Sequence, residues 1–321
     1  MRNLFKSLMI IAFAISATSC SGDDNVERKK SIAKIASENA NLSILVQALD
    51  RAGLVATFES AGDFTVFAPT NQAFTAFLAT TPYATINDVP VPVLTEILKN
   101  HVLGESLTSS ELTTGYVKTL AKGSASMTNT LSMYIDLNSG VKINGGVSNG
   151  GANVVLTSAN IEASNGVIHV VDNVIVLPTV VNHAIANPEF SSLVSTLTSD
   201  GQPNFVSILS ATGPFTVFAP TNAAFSALTP ELAAIPLSPT TAQLTTVLQY
   251  HVVSPANVLA SAITNGMTVT PLAGGTFTIN TTNGAKITDA NNRITNIIAT
   301  DVQASNGVIH AVDKVLLPSF N

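Results

Sequence analysis

The chain has 321 residues, of which 46% are hydrophobic and 11% are charged, and its formal net charge at pH 7 is −6. This composition supplies enough apolar material for two ordinary domain cores and is not that of a disordered protein. Because the chain is acidic and has no cluster of lysines and arginines past residue 30, we expect no nucleic-acid partner.

The chain begins with a predicted signal peptide over residues 1–19. Two basic residues precede an apolar run over 8–17, which is too short to span a bilayer as a mature helix. The run leads into Ala17-Thr18-Ser19-Cys20, and Cys20 is the only cysteine. This arrangement resembles the bacterial lipobox, in which the cysteine is lipidated and becomes the mature N-terminus, although Ala17 stands where leucine is usual. The alternative is an ordinary signal peptide that leaves Cys20 as a free thiol.

Residues 20–30 are predicted to form the lipidated N-terminus and a polar tether. Ser21-Gly22-Asp23-Asp24 resembles the acidic stretch that directs some Gram-negative lipoproteins to the outer face of the outer membrane. The lipid supplies the anchor in this interpretation, because each buried methylene contributes about 0.8 kcal/mol. We therefore expect an exported, lipid-anchored protein at the surface of the outer membrane of a Gram-negative bacterium.

A helix, a strand and a second helix are predicted after the tether. The leucines and valine of 42–49 recur at helical spacing and form one apolar stripe. Residues 64–68 are rich in β-branched and aromatic side chains and predict a strand that ends at Pro69. Thr70 or Asn71 can then cap the following helix through a side-chain oxygen.

A central helix is predicted over 94–102, and β-structure follows it. On the helix, His101 shares a face with Leu94 and Leu98. The later segments 133–136, 141–144, 152–156 and 167–171 are predicted to be strands. The dipeptide Asn165-Gly166 predicts a tight turn, because both residues tolerate positive φ.

The whole pattern occurs twice. The heptapeptide Thr-Val-Phe-Ala-Pro-Thr-Asn stands at 65–71 and at 216–222, and Asn-Gly-Val-Ile-His stands at 165–169 and at 306–310. The spacing between matching blocks shortens along the chain, so the second copy has lost residues in its middle, which indicates a loop or hairpin there. We predict two copies of one α+β domain, at 31–178 and 179–321, joined by a linker short enough to favour a fixed orientation.

These blocks resemble the fasciclin (FAS1) domain. The heptapeptide with a Phe three residues on, a central helix carrying a histidine, and a closing Asn-Gly-Val-Ile-His-x-Val-Asp occur in this order in both copies. The resemblance covers roughly residues 30 to 320. It implies, for each copy, an antiparallel β wedge flanked by several α-helices, and it implies adhesion through an extracellular protein or polysaccharide ligand. We interpret the motif positions as structural: Thr65, Phe67, Pro69, Thr70, Asn71, His169 and Asp172, with Thr216, Phe218, Pro220, Thr221, Asn222, His310 and Asp313.

The resemblance also indicates candidate binding residues. In animal members of the family a Tyr-His pair in the central helix is implicated in receptor contact, and Tyr250 and His251 match it here. Their counterparts in the first copy are Asn100 and His101. The helical pattern favours both histidines as core residues with hydrogen-bonded rings. Tyr250 lies off that apolar face and is the better candidate for a surface contact, with a tyrosine at the core margin as an equal alternative.

The second pair of histidines has a structural interpretation. His169 and His310 each precede an aspartate by three residues within a strand, so that the two side chains face opposite sides of the sheet and form no catalytic couple. We predict that each histidine closes a turn hydrogen bond beside the neighbouring Asn-Gly. His183 stands alone, and the sequence assigns it no role.

We expect a binding protein without cofactor or metal rather than an enzyme. The motifs G-x-S-x-G, H-E-x-x-H, G-x-x-x-x-G-K-[ST] and C-x-x-C do not occur. Asp136 opens a stretch like a calcium loop, but Val147 stands at the twelfth position, where glutamate is needed, so we predict a hairpin turn. The alternatives are an envelope accessory protein or carrier for a small molecule or glycan, an unrecognised hydrolase, or a spacer. A deep pocket with convergent polar groups favours an enzyme or carrier, whereas a flat or grooved face favours adhesion.

Overall fold

The structure is a computed structural model that describes residues 29–233 and 240–320. The predicted signal peptide, Cys20 and most of the predicted tether lie outside the described residues. We call the two copies domain 1 and domain 2.

Domain 1 opens with helices and closes with strands. Its described α-helices are α1 (Ile32–Glu38), α2 (Ser43–Arg51), α3 (Val55–Glu59), α4 (Asn71–Ala79) and α5 (Val91–Lys99). Its strands are β1 (Phe64–Pro69), β2 (Val102–Leu103), β3 (Gly115–Gly123), β4 (Ser126–Asp136), β5 (Lys142–Ile143), β6 (Ala152–Asn153), β7 (Ile161–Ala163) and β8 (Gly166–Val171).

Domain 2 repeats this order. Its described α-helices are α6 (Val180–Ala186), α7 (Ser191–Leu197), α8 (Phe205–Leu209), α9 (Asn222–Ala233) and α10 (Thr241–Tyr250). Its strands are β9 (Phe215–Pro220), β10 (Val252–Val253), β11 (Met267–Val269), β12 (Phe277–Asn280), β13 (Lys286–Thr288), β14 (Ile294–Ala304) and β15 (Gly307–Val312). Within 29–233 and 240–320, every helix is too short or too polar to cross a bilayer.

Each domain contains one sheet of mixed direction. The strand order is β6-β5-β4-β3-β2-β1-β8-β7 in domain 1 and β10-β9-β15-β14-β13-β12-β11 in domain 2. The α+β class is confirmed, but the description of the strands as antiparallel needs correction, because β1 pairs with β8, and β9 with β15, in parallel. Hairpin patterns reveal neighbours along the chain, whereas these parallel pairs join strands from the two ends of a domain.

The local predictions near the start of domain 1 agree with the structure. In the amphipathic segment, Leu42, Leu45 and Leu49 are buried against the core. Strand β1 ends at Pro69, and the Thr70 hydroxyl accepts a hydrogen bond from the backbone N–H three residues later at 3.2 Å, which caps α4. These signals are local, so the sequence alone contains them.

The length difference between the copies lies in one hairpin, where the sequence predicts it. Strands β3 and β4 extend from Gly115 to Asp136, whereas their counterparts β11 and β12 occupy only Met267–Asn280. A tight turn with two positive φ angles occurs at Asn283-Gly284, with values of 60° and 93°. The predicted tight turn before Gly166 is also present, at Ser164 and Asn165 between β7 and β8, but only Gly166 has a positive φ and Asn165 does not.

Candidate binding surfaces

The two central histidines lie in the core, as the helical pattern predicts. His101 is 2% exposed; its Nδ1 donates to the carbonyl of Ile97 at 2.7 Å, and its Nε2 accepts from the N–H of Ile175 at 2.8 Å. His251 makes the same two contacts in domain 2 at 2.7 and 2.9 Å. Burial lowers the pKa of each ring to about 4, so both are neutral at pH 7 and connect the central helix to the C-terminal segment of the domain.

The residues that precede these histidines are also buried. Tyr250 is 0% exposed, its hydroxyl donates to the carbonyl of Thr276 at 2.7 Å, and its ring meets Phe277 edge to face. Asn100 is likewise 0% exposed and donates to the carbonyl of Val176 at 3.0 Å. The expected surface position of Tyr250 is therefore wrong, because the connection between β11 and β12 covers the ring. Periodicity along one helix does not reveal such a neighbour.

The first residue of the Thr-Val-Phe-Ala-Pro-Thr-Asn block forms hydrogen bonds to the backbone of the connection that follows β2. The Thr65 hydroxyl donates to the carbonyl of Glu105 at 2.6 Å and accepts the N–H of Leu107 at 2.8 Å. His169 donates to the carbonyl of Leu107 at 2.9 Å and stacks on Phe67. The same contacts in domain 2 are made by Thr216, Phe218, His310 and the segment 256–258. Both histidines thus bind this connection and not the Asn-Gly turn, so their predicted partner is wrong.

The asparagines of the heptapeptide reach back to the preceding helices. Asn71 accepts the N–H of Ile44 at 2.9 Å and donates to the carbonyl of Ala40 at 2.9 Å, which fixes the start of α2. Asn222 makes the equivalent pair of bonds at the start of α7. Thr70 and Thr221 supply the caps of α4 and α9. The polar residues of the heptapeptide therefore make hydrogen bonds that hold the fold together.

The repeated aspartates form their hydrogen bonds with asparagines and not with the histidines three residues before them. The Asp172 carboxylate accepts the backbone and side-chain N–H groups of Asn153 at 2.7 and 2.8 Å. Asp313 binds Asn296 in the same way at 2.7 and 2.6 Å. The predicted separation of each aspartate from the histidine three residues earlier agrees with these contacts.

Two buried asparagines, which the sequence indicates only as turn residues, each make three hydrogen bonds to distant segments. Asn165 is 2% exposed; it accepts the N–H of Ile32 at 2.9 Å and donates to the carbonyls of Phe58 and Ser60 at 2.9 and 2.8 Å. Asn306 makes the same three bonds in domain 2 at 2.9, 2.8 and 2.7 Å. Each side chain thus joins the first helix, the end of the third helix and the last hairpin. The sequence signal that could have identified these asparagines is the Asn-Gly dipeptide, which occurs at the same place in both copies.

Metal binding and acid–base catalysis receive little support from the titratable groups. In the part of the chain that the structure describes, no three His, Cys, Asp or Glu residues group as metal ligands. Each of the four repeated histidines donates to one backbone carbonyl and accepts one backbone N–H, which leaves no lone pair for a metal or a proton. At the calcium-like stretch, Asp136 accepts the N–H of Asn138 at 2.9 Å, as a turn requires.

The long hairpin of domain 1 lies against domain 2. Midway along it, the Ser132 hydroxyl accepts the N–H of Gln303 at 3.0 Å. At its tip, the N–H of Ala125 donates to the carbonyl of Ser305 at 3.0 Å. Gly123 approaches so closely that a Cβ there would stand 2.4 Å from the Ser305 Cα. The tip of the hairpin, which domain 2 lacks, therefore supplies part of the contact between the domains.

Two tyrosines of this hairpin enclose a histidine of domain 2. The Tyr116 hydroxyl donates to the His183 carbonyl at 3.2 Å, the two rings meet edge to face, and Tyr134 packs against Tyr116 with ring centroids 4.9 Å apart. The His183 side chain is 0% exposed, and neither ring nitrogen has a hydrogen-bond partner among the described residues. Burial lowers its pKa to about 3; the Gln303 backbone opposes this shift and the Lys118 charge adds to it.

The same face of the sheet is open in domain 2. Tyr116 pairs with Tyr134 across the strands of domain 1, and Thr268 pairs with Thr278 at the corresponding place in domain 2. We define the open sheet face as the outward residues of β11 to β14: Thr268, Thr278, Thr288 and Ile294 in one row, and Asn280, Lys286 and Asn296 in the next. These residues are partly or fully exposed, whereas the alternating Ile279 and Ile287 are 0% exposed. Hydroxyls, amides and methyl groups therefore lie together on one surface.

Comparisons with known proteins cover both halves of the chain. A family model described as the Fasciclin domain matches residues 40–178 and 188–318. Protein sll1483 of Synechocystis is 42% identical over 152 residues, which is 46% of this chain and 73% of that protein. Periostin of Homo sapiens is 29% identical over 279 residues, 84% of this chain but 30% of periostin. A solved FAS1 domain pair from the insect cell adhesion molecule Fasciclin I aligns with a TM-score of 0.53 at 17% identity, over 87% of this chain and 98% of that pair.

Proposed function

The chain belongs to the fasciclin domain family, and from this membership we propose that it is a surface adhesion protein, lipid-anchored at the outer membrane, that binds an extracellular protein or polysaccharide. The domain pair that it matches in fold comes from a cell adhesion molecule. A position outside the cell accords with the predicted signal peptide and with the predicted lipidation of Cys20, which lies outside the described residues.

The open sheet face is the observation that carries this proposal. In domain 1 the corresponding positions, Tyr116 and Tyr134, contact another folded domain. In domain 2 that face meets solvent, and two isoleucines of β14, Ile294 in the face and Ile298 beside it, are each 55% exposed. A mixture of apolar and hydrogen-bonding groups is typical of protein interfaces. Duplication has therefore left one copy of a protein-binding face uncovered.

Binding is favoured over catalysis by the state of the histidines. Each repeated imidazole is held in one tautomer by two backbone partners, and a general base needs a lone pair that faces a substrate. On the open sheet face, the side chain of Asn296 donates to the Asp313 carboxylate, but an amide is not a nucleophile that such a base could activate.

The double variant Thr278→Arg, Thr288→Arg is expected to weaken ligand binding about tenfold or more, which corresponds to roughly 1.4 kcal/mol. The two arginines place charge and bulk at the centre of the open sheet face and leave the buried face of the strands unchanged. A glycan and protein array, probed with the soluble form that spans residues 26–321, identifies the ligand class. Surface plasmon resonance then measures the affinity of each form.

The control is Thr57→Arg, which adds one arginine at an exposed position on α3 of domain 1. It should bind as the parent protein does and melt at the parent temperature, since exposed substitutions change stability by about 0.5 kcal/mol or less. The double variant should stay folded but melt at a somewhat lower temperature, because positions 278 and 288 pair directly and the two arginines stand opposite each other. Equal affinity of the double variant and the parent for every array ligand would place adhesion elsewhere.

The variant Cys20→Ser is expected to move the protein from the membrane fraction to the soluble fraction. The serine hydroxyl cannot form the lipid-bearing thioether, and without acyl chains the chain loses the apolar contacts that hold it to the bilayer. Ultracentrifugation of lysates and labelling with palmitate measure the change. Continued sedimentation of the variant with membranes would contradict lipid anchoring at this residue.

A further inference from the structure

The dipeptide Asn-Gly occurs six times in the chain, and the two residues can react with each other. The backbone nitrogen of the glycine attacks the side-chain amide carbon of the asparagine, an approach that no Cβ on the glycine hinders. A carbon–nitrogen bond forms, ammonia leaves with the proton of the glycine nitrogen, and a five-membered succinimide ring remains. Water then opens the ring to aspartate or isoaspartate. The six asparagines are Asn144, Asn149, Asn165, Asn265, Asn283 and Asn306.

Four of these asparagines are buried, and hydrogen bonds hold their side chains. Asn165 and Asn306 each make the three bonds described above. Asn144 is 1% exposed and accepts the N–H of Tyr134 at 2.8 Å, and Asn149 donates to the carbonyl of Asn144 at 2.9 Å. A side chain fixed in this way reaches its own backbone only when the surrounding structure opens, and that opening costs free energy. The fold therefore protects these four positions.

Asn265 is exposed, but hydrogen bonds engage both of its reacting groups. Its side-chain oxygen accepts the N–H of Thr281 at 2.9 Å. The N–H of Gly266, which belongs to the attacking nitrogen, donates to the carbonyl of Ile279 at 2.9 Å. Both bonds hold the side chain and the nitrogen apart, so the ring closes here only after local opening.

Asn283 is exposed and has both reacting groups free. It forms the turn between β12 and β13 with Gly284, which is exposed as well. Among the residues that the structure describes, neither the Asn283 side chain nor the Gly284 N–H has a hydrogen-bond partner. Within the same part of the chain, no heavy atom beyond the chain neighbours lies within 4 Å of a Cβ placed on Gly284. The space around the attacking nitrogen is therefore open.

We propose that Asn283 is a site of spontaneous deamidation and that it reacts before the other five Asn-Gly dipeptides. The reaction consumes one water molecule from the solvent and releases one ammonia. Its product carries a new carboxylate in the turn that leads into β13, where Lys286 starts the second row of the open sheet face. The residues that define this face have one charged member, Lys286, so the modification adds the opposite charge at its border. The chemistry does not depend on adhesion and is tested without a ligand.

The test follows each asparagine in the purified soluble form, residues 26–321, during incubation at mildly alkaline pH. Peptide mapping by mass spectrometry detects the exchange of an amide for a carboxyl group, and isoaspartyl methyltransferase labels the isoaspartate product. Asn283 is expected to react at least about tenfold faster than Asn265, which corresponds to about 1.4 kcal/mol of activation free energy. A smaller ratio, or earlier reaction at any of the four buried asparagines, overturns the proposal.

The same measurement in urea separates the effect of the fold from that of the sequence. Asn265 and Asn283 both follow a threonine, so their local sequences are closely matched. In the unfolded chain both are exposed and free of fixed hydrogen bonds, and their rates should become similar. A ratio that persists in urea would show that the neighbouring residues set the rate and would overturn the structural argument.

Two variants assign the acidic form of the protein to this turn. Asn283→Gln should remove most of the early acidic form seen by ion-exchange chromatography, because glutamine has to close a six-membered ring, which forms far more slowly. The matched control Asn265→Gln should leave the formation of that acidic form unchanged. An acidic form that appears in Asn283→Gln at the parent rate overturns the assignment.

Discussion

Between pH 7 and pH 4 the free energy of unfolding is expected to fall by roughly 3 kcal/mol for each of three buried histidines, since one pKa unit is worth about 1.4 kcal/mol. Burial lowers the pKa of His101 and His251 to about 4 and that of His183 to about 3. An unfolded histidine takes up its proton near pH 6.5. In this window the unfolded chain therefore binds more protons, so the stability is complete above about pH 6.5 and is lost as the pH falls toward 4.

Urea unfolding at a series of pH values measures this dependence, and His183→Phe isolates one part of it. The His183 ring has no hydrogen-bond partner among the described residues, so phenylalanine keeps the contact with Tyr116 and leaves no polar atom unpaired. We expect the variant to match or exceed the parent stability at pH 7 and to lose about a third less stability by pH 4. Parallel curves for variant and parent would contradict a neutral buried His183.

The variant Asn306→Ala is expected to lower the free energy of unfolding by about 4 kcal/mol, because each buried polar group left without a partner costs about 1–3 kcal/mol. Three such groups result: the N–H of Val180 and the carbonyls of Leu209 and Ala211. Val180 lies in the first helix of domain 2, and Leu209 and Ala211 lie at the end of the third, so both helices lose their connection to the last hairpin. Thermal and urea unfolding measure the loss.

The control for this variant is Asn296→Ala. Asn296 also donates a side-chain hydrogen bond, to Asp313 at 2.6 Å, but it is exposed, so water replaces the partner. Its loss should be about 1 kcal/mol or less. Equal losses in the two variants would mean that the three contacts of Asn306 contribute little to stability.

The sequence predicts those features whose causes are local. The stripe of leucines in α2, the end of β1 at Pro69 and the cap at Thr70 each depend on residues within a few positions of one another. The family motifs allow the complete domain to be predicted as well, because the same blocks occur in the same order in both copies.

The remaining features depend on partners that are distant along the chain. Asn165 looks like a turn residue until Ile32, more than a hundred positions earlier, is placed beside it. Tyr250 looks exposed until the connection at 276 folds over it. The candidate binding face follows the same rule, since Thr278 and Tyr134 occupy corresponding positions in their sheets but only Tyr134 has a second domain in front of it. Contacts with residues that are distant along the chain, and not periodicity within one element, decide each of these cases.

The unequal hairpins have a consequence for self-assembly. The contact between the domains is heterologous, since the hairpin of one copy meets the β14 edge and α6 of the next, and a contact of this kind can repeat without limit and form fibres. Domain 1 presents the corresponding edge at β7, where Lys29 pairs with Glu162. Domain 2 has neither the long hairpin nor the two tyrosines with which to occupy that edge on another molecule. Shortening the second hairpin thus ends the series after one step, because domain 2 cannot repeat the contact that domain 1 makes.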